Sequence, residues 1–225
     1  LLKRFSYATK GSLQITYGCD NVCDFCVIPN MQGRHQKRNL DEVINDLEKI
    51  SGPFVSIVDP NLTEDEEYAK ELFKRMKPLN KKWGGLGTVE VGENLEMLDL
   101  MAESGCKGIL IGFESVSQGS NLSFNKGINN VSKYSQVVKN VHDRGIAING
   151  TFMFGSDGDT LNSFDETFNF VNEVGIDLPR YSIYTPFPNT PAFRRLKNEG
   201  RVNESDWALF DAQHVVFEPK NMSPE

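Results

Sequence analysis

Six short apolar or β-branched runs recur along the chain with amphipathic stretches between them, and no other feature limits its folding choices as much. The runs are Leu13–Tyr17, Phe54–Val58, Leu86–Val91, Gly108–Phe113, Ile146–Phe154 and Tyr181–Tyr184. Helical spacing places Leu40, Val43, Ile44 and Leu47 on one face, Tyr68, Leu72 and Met76 on a second, and Leu95, Leu98, Met101 and Ala102 on a third. Val137, Val138 and Val141 make a fourth face, and Phe164, Phe168 and Val171 a fifth. Asn39 and Thr63 stand where helix caps belong, and Gly105, Gly145 and Gly175 where helices stop. Strands that alternate with helices read as successive βα units around a parallel sheet. Right-handed crossovers then curl that sheet into part of a TIM-like barrel. The expectation is an α/β fold, a partial (β/α)6 barrel over residues 1–200, with 201–225 as a tail or the start of a further C-terminal segment.

The chain's 225 residues suit one large domain. Its formal charge of −7 argues against a broad phosphate-binding surface. The basic cluster from Arg34 to Arg38 is too short to reverse that, so no clear nucleic-acid surface is expected. No apolar run approaches the roughly 18–20 residues of a membrane span. The first residues lack both an initiator Met and a secretory apolar stretch, which suits a processed end or a fragment.

Three of the four cysteines fall in Gly18-Cys19-Asp20-Asn21-Val22-Cys23-Asp24-Phe25-Cys26, directly after the first expected strand. Such crowding suits metal binding in a reducing, cytoplasmic setting rather than a disulfide framework. Three thiolates on one loop can hold three irons of a cubane, leaving the fourth iron open to a chelating molecule. The alternative is a closed zinc site, which needs a fourth ligand from His35 or Cys106. Cys106 precedes a buried-looking strand and reads as a small packed hydrophobe.

The C-x3-C-x2-C spacing, Phe25 before the last cysteine, and the position after the first strand resemble the radical S-adenosylmethionine (SAM) superfamily. The resemblance implies a radical SAM barrel holding a [4Fe–4S] cluster on Cys19, Cys23 and Cys26. SAM would chelate the open iron and be cleaved, with an electron from an external donor, to methionine and a 5′-deoxyadenosyl radical. It also implies where SAM is contacted. Asp59 and Asn61, after the second strand, stand where the superfamily meets the amino group. Glu114 and Ser115, ending the fourth, stand at the ribose position. Met153 and Gly155, ending the fifth, lie on the adenine side with Phe25. Thr88 and Glu90 alternate on the third expected strand, where one face reaches the barrel mouth. A helix-capping turn is the competing reading of residues 59–61.

Four longer stretches resemble the cobalamin-dependent branch, in particular the hopanoid C-2 methylase-like group. They are Gln14–Cys19, Cys26–Pro29 with Gly33-Arg34, Leu98–Ser115, and Tyr184–Pro191 with Asp211–Phe217. Tyr17 and Asp20 depart from that branch's arginine and proline. The implied reaction is methylation of an unactivated carbon on a small-molecule or lipid-like substrate. Cobalamin would come from a separate or missing cobalamin-binding domain, since only 18 residues precede Cys19. Asn140-Val141-His142 loosely resembles a cobalt-ligating motif, but sits on an expected barrel helix. His214 lies in a segment that could fold over the open barrel. Two alternatives stay open: a cobalamin-independent enzyme (methylthiotransferase or oxidative cyclisation), and a non-catalytic metal-binding module.

Overall fold

A computed structural model describes residues 11–223. Its main sheet has six parallel strands: β1 (Ser12–Leu13), β4 (Phe54–Ile57), β5 (Lys82–Gly87), β6 (Cys106–Glu114), β7 (Ala147–Phe154) and β8 (Leu178–Ile183). Their spatial order follows the sequence, β1-β4-β5-β6-β7-β8. Neighbours paired in chain order are what repeated βα units produce. The first and last strands do not pair, so the barrel is open. Two more short strands, β2 (Thr16–Tyr17) and β3 (Gln36–Lys37), form an antiparallel ribbon beside it. The helices are α1 (Ile28–Gln32), α2 (Leu40–Lys49), α3 (Glu66–Met76), α4 (Leu95–Glu103), α5 (Gln118–Ser123), α6 (Tyr134–His142), α7 (Asn162–Val174) and α8 (Pro191–Asn198).

The main core lies between the sheet's outer face and the helices. Val55, Ile57, Ile109, Ile111, Phe113, Ile148 and Phe152 meet Val43, Leu47, Leu72, Met101, Val137 and Val141 there, all buried. Cys106 belongs to this core, as the sequence implies. Asn39 caps α2 through bonds from the Asp41 and Glu42 amides. Asp65 rather than Thr63 caps α3, accepting from the Tyr68 amide at 3.0 Å.

Four expectations need correcting. The run Leu13–Tyr17 is not one strand: β1 stays in the barrel, while β2 turns away to pair with β3. Strand β5 ends at Gly87, and residues 89–93 form a 3₁₀ turn. Thr88 therefore precedes, and Glu90 lies within, a turn that buries Val89 and Val91. Helix α7 buries Ser163, Thr167 and Val171, leaving Phe164 45% and Phe168 61% exposed. Finally, the run expected at Tyr181–Tyr184 begins earlier, at Leu178.

The segment past residue 200 is fastened to the barrel. Val202 bridges Phe217, and the Ile183 amide donates to the Ala212 carbonyl at 2.9 Å. Phe217 joins Phe124, Tyr184, Ala192 and Leu196 in a second apolar cluster.

Candidate active site

The thiol loop begins where β2 leaves the barrel, and Asp59 makes that departure. Its carboxylate accepts from the Ile15 amide at 2.8 Å, and from the Thr16 amide and hydroxyl at 2.7 and 2.8 Å. Fully buried, with both oxygens engaged, it has no face toward a ligand. Burial pushes its carboxyl up, and the three bonds pull against that rise. The sequence reading gave Asp59 a contact to the amino group; in the structure its carboxylate bonds Ile15 and Thr16 and holds the bend between β1 and β2.

Gly18 opens the loop at φ +70°, and a Cβ there would lie 2.2 Å from the Arg34 carbonyl oxygen. Only glycine fits that approach. From there the backbone is tied at several points. The Cys19 amide donates to the Gly33 carbonyl at 3.3 Å, and the Asp24 amide to the Phe124 carbonyl at 2.9 Å. The Ala192 amide donates to the Asp24 carbonyl at 3.0 Å, and the Asn125 side chain to the Val22 carbonyl at 2.8 Å.

Cys19, Cys23 and Cys26 are free and partly buried along this loop. Burial raises all three thiols, Cys23 to about 11. Uncompensated thiolates are costly there, so the loop suits ligands whose charge a metal neutralises. Among the described residues, no three His, Cys, Asp or Glu side chains converge as a single-ion site requires. A cubane attaches its thiolates to separate irons, so its ligands need not converge on one point.

Beside the thiols, β6 ends in a register shift between Gly112 and Glu114, and Glu114 takes φ +61°. A non-glycine residue in that region is strained unless its surroundings impose it. Here they do. The buried Lys126 ammonium pairs with Glu114 at 2.5 Å and donates to the Gly112 carbonyl at 3.0 Å. Asn129 donates to the Gly112 and Phe113 carbonyls, Tyr134 to Phe113, and Asn121 to Ser115. Lys126 acts to lower the Cys23 and Cys26 thiols and Glu114 to raise them, which places the pair within electrostatic reach of the loop. The Ser115 hydroxyl accepts from the Ser117 amide at 3.1 Å, and Ser117 in turn caps α5.

The remaining sequence-derived residues fall into two groups. Asn61, Thr88 and Glu90 line a polar cavity of about 310 Å³ together with Asn21, Glu64 and Asn94. Asn61 donates to Glu64 at 2.6 Å, and the same Glu64 oxygen lies 3.5 Å from the Cys19 sulfur. Phe25 and Met153 instead pack on the second apolar cluster, with the Phe25 ring edge-on to Phe124 at 5.8 Å. Gly155, at φ +107°, lies against Phe217 and Tyr184. Glu64, Asn21 and Lys126 escaped the sequence reading. Lys126 sits in the polar stretch Asn125-Lys126-Gly127, where no hydrophobic period marks it. His142 is bound to Asp177 at 2.8 Å, and His214 pairs with Asp211 on the surface.

A family model described as the Radical SAM superfamily matches residues 13–171. Bacteriochlorophyllide d C-12(1)-methyltransferase of Chlorobaculum tepidum is 36% identical over 93% of this chain and 47% of its own length. Hopanoid C-2 methylase of Rhodopseudomonas palustris is 26% identical over 87% of the chain and 39% of its own length. The chain thus spans about half the length, or less, of these curated relatives. The radical SAM methyltransferase TsrM of Kitasatospora setae, solved with tryptophan and a SAM analogue, superposes with a TM-score of 0.77. That match covers 88% of this chain and 40% of TsrM at 18% identity, and it carries the likeness of fold.

Proposed function

Because the chain belongs to the radical SAM superfamily, we propose that it is the SAM-cleaving barrel of a cobalamin-dependent methylase acting on an unactivated carbon. The observation that carries this reading is the loop of three partly buried thiols, braced by distant backbone and set beside the Glu114–Lys126 pair. The related methyltransferases support the methylation, and the substrate class is a small or lipid-like molecule. When bound, the [4Fe–4S] cluster supplies the electron for reductive cleavage of SAM, giving methionine and a 5′-deoxyadenosyl radical.

This chain's residues bind and orient. Cys19, Cys23 and Cys26 hold the irons. Lys126 supplies the positive charge beside them, and Glu114 and Ser115 meet the ribose side of SAM. Asn61, Glu64, Thr88 and Glu90 form an acidic, polar recess suited to accept hydrogen bonds from its amino N–H groups. Phe25, Met153 and Gly155 form the wall against adenine and keep water from it. Cobalamin and the electron come from regions or partners beyond these 225 residues. Among the described residues no helix is long and apolar enough to cross a membrane. Four free cysteines support a reducing, cytoplasmic setting.

The test is anaerobic reconstitution followed by iron and zinc analysis of single Cys→Ala variants. Replacement of Cys19, Cys23 or Cys26 should abolish iron loading, and Cys106→Ala should leave it intact. A Cys106 variant as poor in iron as the others, or zinc in place of iron, would sink the reading.

A further inference from the structure

We propose that Asn21 and Glu64 tune the reduction potential of the cluster through Cys19, Asn21 raising it and Glu64 lowering it. This rests on the cluster reading above and adds two positioning residues to it.

Of the three loop thiols, Cys19 alone has side-chain hydrogen-bond partners among the described residues. The Asn21 Nδ2 donates to its sulfur at 3.5 Å, and the Glu64 Oε2 stands 3.5 Å from the same atom. In the free thiol, the S–H donates to that carboxylate. A cysteine bound to iron carries no proton, so Asn21 then donates to a thiolate while the Glu64 carboxylate faces one. One neighbour favours negative charge on the sulfur and the other opposes it. The free thiol already shows both signs. Burial is the main influence raising it, the Asn21 backbone and side-chain N–H groups pull it down, and Glu64 pushes it up. Reduction brings negative charge to a cluster and its sulfurs, and hydrogen bonds to those sulfurs are among the groups that set the potential. A neighbour that favours loss of the proton therefore favours arrival of the electron.

Both residues are held where they stand. Asn61, itself buried, donates to the same Glu64 oxygen at 2.6 Å. Among the described residues no lysine or arginine pairs with Glu64, so its charge reaches Cys19 without a counter-ion. Asn21 is placed by the neighbouring brace, the bond from Asn125 to the Val22 carbonyl at 2.8 Å. The other two thiols differ. Near Cys23 and Cys26 stand Lys126 and Glu114, a salt bridge whose opposite charges act on those thiols in opposite directions. The Cys19 corner is thus where single side chains, changed one at a time, move the charge balance of the loop.

The test is a redox titration of the anaerobically reconstituted 225-residue chain without SAM, read by bleaching of the cluster's absorbance, with iron content measured in parallel. Asn21→Leu keeps the side chain's size and removes its N–H. At a fixed potential it should lower the reduced-to-oxidised ratio about 3–10-fold, a midpoint roughly 30–60 mV more negative. Asn21→Asp, which sets a second carboxylate beside the sulfur, should move the midpoint further the same way. Glu64→Gln should move it the opposite way, by about 3-fold or more in the same ratio. A midpoint that neither Asn21 variant lowers, or that Glu64→Gln fails to raise, would overturn the assignment. So would loss of iron from Asn21→Leu, since a donor that only tunes a cluster is not needed to hold it. Wild-type chain that loads iron while the variants keep its midpoint fails this inference alone. Wild-type chain that takes zinc or no iron fails the cluster reading, and this inference with it.

Discussion

Glu114 and Lys126 are each buried, and each relieves the other's charge. Removing one partner of such a pair typically costs about 3–5 kcal/mol, because the other is left bare. Lys126→Met and Glu114→Gln should therefore each destabilise the chain, and the double variant by less than their sum, measured by denaturant unfolding. Additive losses would mean that the two charges are not coupled. If Glu114 also meets SAM, Glu114→Gln should weaken SAM binding about 10–150-fold in calorimetry with iron content unchanged. Asp59 makes a different residue-scale prediction. Asp59→Asn removes a buried charge, yet its amide must point a donor at a donor beside Thr16 or Ile15. We expect a loss of about 1–3 kcal/mol in the same unfolding assay, and an unchanged midpoint would disprove the bend-holding role. The thiol triplet was legible because its ligands are neighbours in sequence. Asp59 was not, because its partners Ile15 and Thr16 stand 44 and 43 positions away.

Among the elements, the barrel strands other than β5 announced themselves through apolar runs, though their edges did not. Strand β5 is half glycine, so its Lys82–Gly87 span carries little β signal, while Thr88–Val91 imitates alternation and turns instead. Helix α7 misled in another way: its phenylalanines suggested the buried stripe, but Phe164 lies 4.5 Å from the Phe154 ring at the rim. Fastening of the segment past residue 200 was equally hidden, since it runs through Asp157. That carboxylate pairs with Arg201 at 2.7 Å, Lys220 at 3.1 Å and Arg195 at 3.2 Å. Burial acts to raise Asp157, but Arg201 and Lys220 outweigh it and hold the carboxyl below its ordinary value. Its stabilising effect is present above the unfolded pKa and is lost as pH falls through the lower folded one. Asp157→Asn should accordingly speed hydrogen exchange at Glu218, whose amide bonds to Arg201, at neutral pH. The difference from wild type should shrink in acid. Identical exchange at neutral pH would remove Asp157 from this role.

At the scale of the whole molecule, the parallel α/β architecture was readable because every βα unit repeats the same change of period. The open edge between β1 and β8 follows from having six strands rather than eight. What the barrel does to a substrate was less readable, since the concave face mixes glycines, leucines and polar residues with no periodic signature. The reconstituted 225-residue chain should cleave SAM slowly and unproductively under reducing conditions, without methylating and without retaining cobalamin. Desalting after incubation with methylcobalamin checks this, and stoichiometric corrinoid left on the chain would refute it.

The tie between Asp24 and Ala192 bears on how the protein is made. During synthesis the three thiols leave the ribosome well before Ala192, whose amide completes the bracing of their loop. Until α8 emerges and docks, the cysteines sit on a segment that lacks one of its braces. Complete bracing of the ligand loop therefore waits for a segment more than a hundred residues downstream rather than for the ligands themselves.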